Sequence, residues 1–392
     1  MRRLGYRAVR ICLIYDCLYP WTVGGAERRM RTLAELLVAE GHTVTYLTRR
    51  QWPMHDPPVL PGITVVAVSR EEPLYGSDGN RTMGEPLRFG AGVLWHLLRR
   101  GRDYDVVHTV SFPYFSLLAA GAARRKGRYR ILSDWYEVWS PAYWRAYVGG
   151  RRALLARAVQ RACARVPQHA FVFSRLHAKR LVSEGLRGQP SVLWGEWANP
   201  PARTPAPATP APAADQVVFA GRHIPEKRAP LAVEAIVLAA AHLPGLTGVV
   251  MGDGPQHPEV LQTIERLRAR DIVSAPGFVD TEALDTTMRT ALCLLAPTRR
   301  EGYGLVVVEA AALGVPTIVV AGPDNAAQEL VDDGVNGFVC ADDDPATLAD
   351  AIVRVHAAGP VLRTTTLDWY RAHRERVAEQ DPFRQILAAY EA

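Results

Sequence analysis

From Asn199 to Asp215 the chain reads NPPARTPAPATPAPAAD, with prolines recurring throughout. Proline fixes φ and lacks an amide proton, so this stretch fits the interior of neither a helix nor a sheet. It is expected to be an extended, semi-rigid linker. A chain of 392 residues divided there must fold as two bodies, each long enough to bury a full-sized core.

The same pattern runs on both sides of the linker. In the first half, the strand-like VRICLIYD, TVTYLTR, ITVVAVS, DVVHTVS, YRILSDW and HAFVFS alternate with helical stretches. In GGAERRMRTLAELLVAEGH, Met30, Leu33, Leu36 and Leu37 fall on one face and Gly41 stops the helix. After the linker the alternation restarts with QVVFAG and runs through LTGVVMGDG, ALCLLAPT and PTIVVAG to the helical ATLADAIVRVHAAG. Alternating strands and helices predict α/β domains built on parallel sheets with helices on both faces. The reading is an N-terminal domain at 1–199, a linker at 200–214, a C-terminal domain at 215–362, and a helical tail at 363–392 that packs back on the first domain.

Composition is that of an ordinary globular protein, 48% hydrophobic and 22% charged. The net charge of +6 is far from that of a dedicated nucleic-acid binder, and no nucleic-acid partner is expected. The basic residues cluster at Arg99, Arg100 and Arg102, at Arg124, Arg125, Lys126, Arg128 and Arg130, and at Arg151 and Arg152. Solvated helix ends account for them. Steering of an anionic substrate or contact with a membrane surface are the sharper readings. The cysteines (Cys12, Cys17, Cys163, Cys293 and Cys340) form no C-x-x-C pair and read as buried thiols in a reducing compartment. The opening MRRLGYRAVRICLIYD reads as a first strand rather than a signal peptide, and no apolar run is long enough for a membrane span. A cytoplasmic protein is expected.

Candidate chemistry gathers at strand ends. Gly24 and Gly25 follow the first strand and open a helix, where backbone amides can approach an anion. In FAGRHIPEKRAP a strand ends at Gly221, and Arg222 and Lys227 stand before a helix, as a diphosphate would require. VVMGDGP ends a strand at Gly252, and PGFVDTEAL ends another at Phe278 and Val279. In TRREGYGLVVVEAAALGVP, Glu301 sits at a strand's carboxyl edge and Glu309 lies a few turns into the next helix. A carboxylate can accept hydrogen bonds from two vicinal sugar hydroxyls, so two carboxylates can hold two sugars of one ligand. Glu309 stands among Val306, Val307, Val308, Ala310 and Ala311, a setting that demands a partner.

The order GGAE, GR-x4-K, GDGP, E-x7-E and ELVDDGVNGFV resembles that of retaining GT-B glycosyltransferases of the family 4 type. The resemblance spans nearly the whole chain and is strongest over 216–358. It implies two doubly wound Rossmann-like domains facing a central cleft, and transfer of a sugar from a nucleotide diphosphate sugar, commonly UDP-linked. The donor is a co-substrate, and neither cofactor nor metal is implied. Arg222 and Lys227 would bind the leaving diphosphate. Glu301 would hold the transferred sugar, with the amides of Gly302, Tyr303 and Gly304 nearby. Glu309 would bind the ribose, Phe278 and Val279 the base, and Gly25 the diphosphate.

The acceptor half departs from the family. A His-Asp pair is replaced by Tyr136-Glu137, while His108 matches a second histidine position. Trp135, Tyr136, Trp139, Tyr143, Trp144, Tyr147, Trp194 and Trp197 lie among Asp134, Glu137 and Glu196. Aromatic faces stack on sugars or cations, so this mix is either a helical core stripe or an acceptor pocket for an amino sugar or aminocyclitol. His108, Asp134, Tyr136 and Glu137 are the acceptor candidates. The alanine- and arginine-rich composition suits a GC-rich bacterial genome and specialised metabolism. A lipid acceptor at a membrane and a non-catalytic sugar-binding protein are the alternatives.

Overall fold

The structure, a computed structural model, describes residues 8–72, 84–194 and 214–391. Residues 200–213 of the expected linker, with Glu196 and Trp197, lie outside the described residues. The chain divides into two compact units, residues 1–199 with 381–392, and residues 200–380.

The first unit contains β1 (Arg10–Ile14), α1 (Gly25–Ala39), β2 (Thr43–Arg49), β3 (Ile63–Ser69), α2 (Gly84–Arg100), β4 (Val106–Val110), α3 (Tyr114–Gly127), β5 (Arg130–Trp135), α4 (Pro141–Val148), α5 (Gly150–Ala164), β6 (His169–Val172), α6 (Arg175–Glu184) and β7 (Ser191–Val192). Its sheet has the order β3-β2-β1-β4-β5-β6-β7, and every pairing is parallel. Central strands covered on both faces must be apolar throughout. Ile11, Cys12, Leu13 and Ile14 of β1 are accordingly inaccessible to solvent.

The second unit contains β8 (Gln216–Ala220), α7 (Ala229–Ala240), β9 (Thr247–Met251), α8 (His257–Arg266), β10 (Val273–Gly277), α9 (Thr281–Thr290), β11 (Cys293–Ala296), α10 (Leu305–Ala312), β12 (Thr317–Val320), β13 (Gly337–Cys340) and α11 (Pro345–Gln380). Its parallel sheet runs β10-β9-β8-β11-β12-β13. In both sheets the strand order therefore reverses once, between β1 and β4 and between β8 and β11. All five cysteines are buried free thiols.

The expected tail begins at 363, but the structure divides it. α11 bends at Gly359-Pro360, and residues 363–380 stay with the second unit. The Arg363 guanidinium donates to the carbonyls of Ala291 and Arg289, and Trp369 Nε1 donates to Asp332 Oδ2 at 2.7 Å. Only α12 (Pro382–Glu391) belongs to the first unit, where Ile386 and Tyr390 are inaccessible to solvent.

Candidate active site

In the second unit, the loops leaving β8 and β11 separate at the reversal of strand order, where doubly wound sheets open a crevice. Lys227 comes from the first loop and Glu301 from the second, and Lys227 Nζ donates to Glu301 Oε2. Glu301 Oε1 accepts the Gly302 amide at 3.3 Å. The Glu301 main chain is fixed as well: its amide donates to Asp324 O at 3.0 Å and its carbonyl accepts from Ala326 N at 2.9 Å. Burial opposes ionisation of Glu301, but Lys227, with Arg300 beyond it, outweighs burial and holds the carboxyl below its ordinary range. The two side chains keep 21% and 19% of their surface exposed, so a ligand can reach both.

The surrounding loops are locked to one another. Arg299 N donates to Glu226 O at 2.8 Å, and Arg300 lies 3.6 Å from the Glu226 carboxylate. Gly252 has φ +129°, and a Cβ there would stand 1.8 Å from Gly221 O, so only glycine permits the β9 loop to press on the β8 loop. Arg222 is exposed directly after Gly221. Gly304 starts α10 at φ +106° and offers no side chain to cap the first-turn amides, which suits an anion. Glu309 is the fifth residue of that short helix, in its second turn and not several turns in, and is partly buried beside the buried Val308 and Ala310. Tyr303 is buried, Phe278 is 80% exposed, and Val279 is partly exposed.

In the first unit, α1 begins at Gly25 after an extended Gly24, over which the Glu27 carboxylate folds. Arg29, one turn in, is buried and donates from Nε to Asp134 Oδ2 at 3.1 Å. Asp134 Oδ1 lies 3.1 Å from His108 Nε2, and His108 Nδ1 lies 2.6 Å from the Tyr390 hydroxyl on α12. A carboxylate only accepts, so His108 donates from Nε2 to Asp134, and its Nδ1 pairs with the Tyr390 hydroxyl. Burial works against the Asp134 charge, yet Arg29 and His108 outweigh it and hold the carboxyl at about 2. Tyr136 stacks on Phe173 with ring centroids 5.0 Å apart, and Trp139 Nε1 donates to Glu137 Oε2 at 2.7 Å.

Known proteins share this plan. Residues 23–195 match the family described as Glycosyltransferase Family 4, and residues 214–358 match Glycosyl transferases group 1. The chain belongs to the family 4 type of GT-B glycosyltransferases. Sucrose-phosphate synthase from Thermosynechococcus elongatus superimposes with a TM-score of 0.73 at 22% identity, covering 98% of this chain and 100% of that one. Anabaena HepE in complex with UDP and glucose gives 0.67 at 17% identity, covering 95% and 99%. An alpha-D-kanosaminyltransferase of Streptomyces kanamyceticus is 28% identical over 36% of this chain and 36% of its own length. The chain spans less than half the length of the first curated relatives it matches.

The GT-B fold of this chain brings Lys227 and Glu301 into contact, but it withdraws two acceptor candidates. His108 and Asp134 have no solvent-accessible surface, and Arg29 and Tyr390 occupy the polar atoms that an acceptor would need. The aromatic cluster is also largely core. Trp135, Trp139, Tyr143 and Trp144 are buried, and the amide of the inaccessible Gln160 takes bonds from Tyr114, Trp139 and Trp144. Tyr136 and Glu137 keep partial exposure at the end of β5. Two residues escaped the sequence reading. Arg29 gave no local signal, since its partner lies 105 positions away. His223, buried in GRHIPEK, pins the loops together: its amide donates to Asp253 O at 2.9 Å and its Nδ1 meets His257 Nδ1 at 3.0 Å. Burial, with His257 beside it, pushes the His223 pKa down, which favours the neutral ring.

Proposed function

We propose that the protein is a retaining glycosyltransferase that moves a sugar from a UDP-linked or related nucleotide diphosphate donor to a hydroxyl of a small polar acceptor. The Lys227–Glu301 pair at the strand-order reversal carries this reading. In the reaction, the bond between the anomeric carbon and the diphosphate oxygen breaks. The acceptor oxygen bonds to that carbon from the same face, and its proton passes to the departing phosphate oxygen. Arg222 and Lys227 stabilise the charge that develops there, and Glu301 accepts hydrogen bonds from the sugar hydroxyls. Gly302, Tyr303 and Gly304 supply amides, Glu309 takes the ribose, and Gly252, Phe278 and Val279 line the nucleotide.

UDP is favoured by the UDP complex of HepE, a structural neighbour. An amino-sugar or aminocyclitol acceptor is favoured by the Glu137 carboxylate beside Tyr136, both partly exposed at the end of β5. Tyr136 and Glu137 then remain the acceptor contacts, and the site of action is cytoplasmic. The test is a thermal-shift screen of nucleotides and nucleotide sugars, followed by donor turnover with amino-sugar acceptors. Stabilisation by a nucleotide diphosphate sugar, with turnover abolished in Glu301→Ala, is the expected result. Indifference to every nucleotide would defeat the reading, and donor binding without turnover would point to a sugar-binding protein.

A further inference from the structure

The greatest concentration of charge in the first unit lies at the amino edge of its sheet, opposite the residues considered so far. α2 runs into a short turn at Gly101–Asp103, just before β4, and α3 ends just before β5. These two ends meet. Arg102 Nε donates to Lys126 O at 3.3 Å, and Gly101 approaches so closely that a Cβ would stand 3.1 Å from the Gly127 Cα. Two basic runs separated in sequence thereby become one patch of Arg99, Arg100, Arg102, Arg125, Lys126 and Arg128, all exposed. Asp103, 3.4 Å from Arg100, is the acid at its centre. The neighbouring Asp105 is taken up by Arg10.

α2 adds a second feature. Phe89, Val93 and Leu97 face the core and are inaccessible to solvent. On the outward side, Leu87, Ala91, Trp95 and Leu98 recur at helical spacing and form an exposed apolar stripe that leads into the patch. Trp95 is 60% exposed and Leu87 50%, and the Arg99 guanidinium lies 3.5 Å from the Trp95 ring centroid.

We propose that this α2–α3 corner docks on an anionic phospholipid surface. The stripe would enter the headgroup boundary, where tryptophan rings settle, and the guanidinium and ammonium groups would meet lipid phosphates. A nucleic acid would use the cations but leave the Leu and Trp side chains without a role. A second copy packed on the stripe would bring two such basic patches together, and like charges oppose that arrangement. No helix among the described residues is long and apolar enough to cross a membrane, so the contact is peripheral and sensitive to salt. It does not depend on the identity of donor or acceptor.

The test is co-sedimentation of the whole chain with vesicles of phosphatidylcholine alone and of phosphatidylcholine with phosphatidylglycerol, at low and high salt. Binding to the phosphatidylglycerol vesicles, reversed by salt, is the expected result. Arg99→Ser with Arg100→Ser should weaken it roughly tenfold or more. Trp95→Ser should weaken it without altering the response to salt. All three side chains are exposed, so circular dichroism should show both variants folded. Absence of binding to phosphatidylglycerol vesicles at low salt would overturn the proposal, as would equal binding by the variants. A dimer in light scattering that Trp95→Ser dissociates would assign the stripe to a second copy instead.

Discussion

Asp134 and Glu301 are both carboxylates that end up beside a cation near a strand's carboxyl end, but their surroundings give them different work. Asp134 has no accessible surface, and Arg29 and His108 occupy its two oxygens. Asp134→Asn leaves the buried Arg29 without its counter-charge, and a loss of about 3–5 kcal/mol in urea unfolding is expected. The folded-state pKa is depressed from 3.8 to about 2, so the charged form stabilises the fold above the unfolded value. That contribution, on the order of 2 kcal/mol, should disappear as pH falls through this window, and Asp134→Asn should flatten the acid limb of the stability profile. Glu301 retains exposure beside Lys227, so its removal should spare the fold. Glu301→Gln should lower kcat by roughly 10²-fold or more with little change in melting temperature. Glu301 was legible because glycines, a strand end and a second carboxylate surround it in sequence. The role of Asp134 was not, because its partners arrive from α1 and β4, and α12 reaches it only through His108.

At the scale of elements, the two parallel sheets with their covering helices were foreshadowed by the alternation of apolar runs and amphipathic stretches, which is set by local periodicity. What local periodicity does not encode is whether an aromatic residue faces a pocket or the core. The Trp139 and Trp144 side chains were ambiguous until Gln160 of α5, 16 to 21 positions away, was seen to bond to both segments. Gly252, at the end of β9, is more informative, since its backbone geometry admits no other residue. Gly252→Ala would drive a methyl group against Gly221 O. It should destabilise the second unit by several kcal/mol and weaken nucleotide binding together with it. Calorimetry and a nucleotide titration on the same sample check both effects. Gly304→Ala, whose Cβ would approach Ala327 Cβ at 2.9 Å, should behave similarly but more mildly, because a side chain can yield where a carbonyl cannot.

At the scale of the molecule, two cores imply two unfolding events that need not coincide. A nucleotide bound to the second unit should raise the transition of that unit, by about 2.7 kcal/mol at a hundredfold excess over Kd. Deleting residues 381–392 should lower the transition of the first unit alone. That deletion removes Ile386, Leu387 and Tyr390 from its core and strips Arg130 of the Ala389 and Tyr390 carbonyls. Tyr390→Phe, which removes a single hydroxyl from His108, should reproduce about 1–3 kcal/mol of the loss. Differential scanning calorimetry with and without UDP separates the two events.

The partnership of His108 with Tyr390 also bears on the order in which the protein is made. A domain synthesised first ordinarily folds first, while the ribosome is still extending the chain. Here the first unit reaches position 199 without its last helix, and the whole second unit must be translated before α12 arrives. Until then Asp134 and His108 lack one member of their buried chain, and the apolar seat of α12 is open. The earlier-made unit is the later one to be finished, and a nascent chain stalled anywhere in the second unit would carry that open seat.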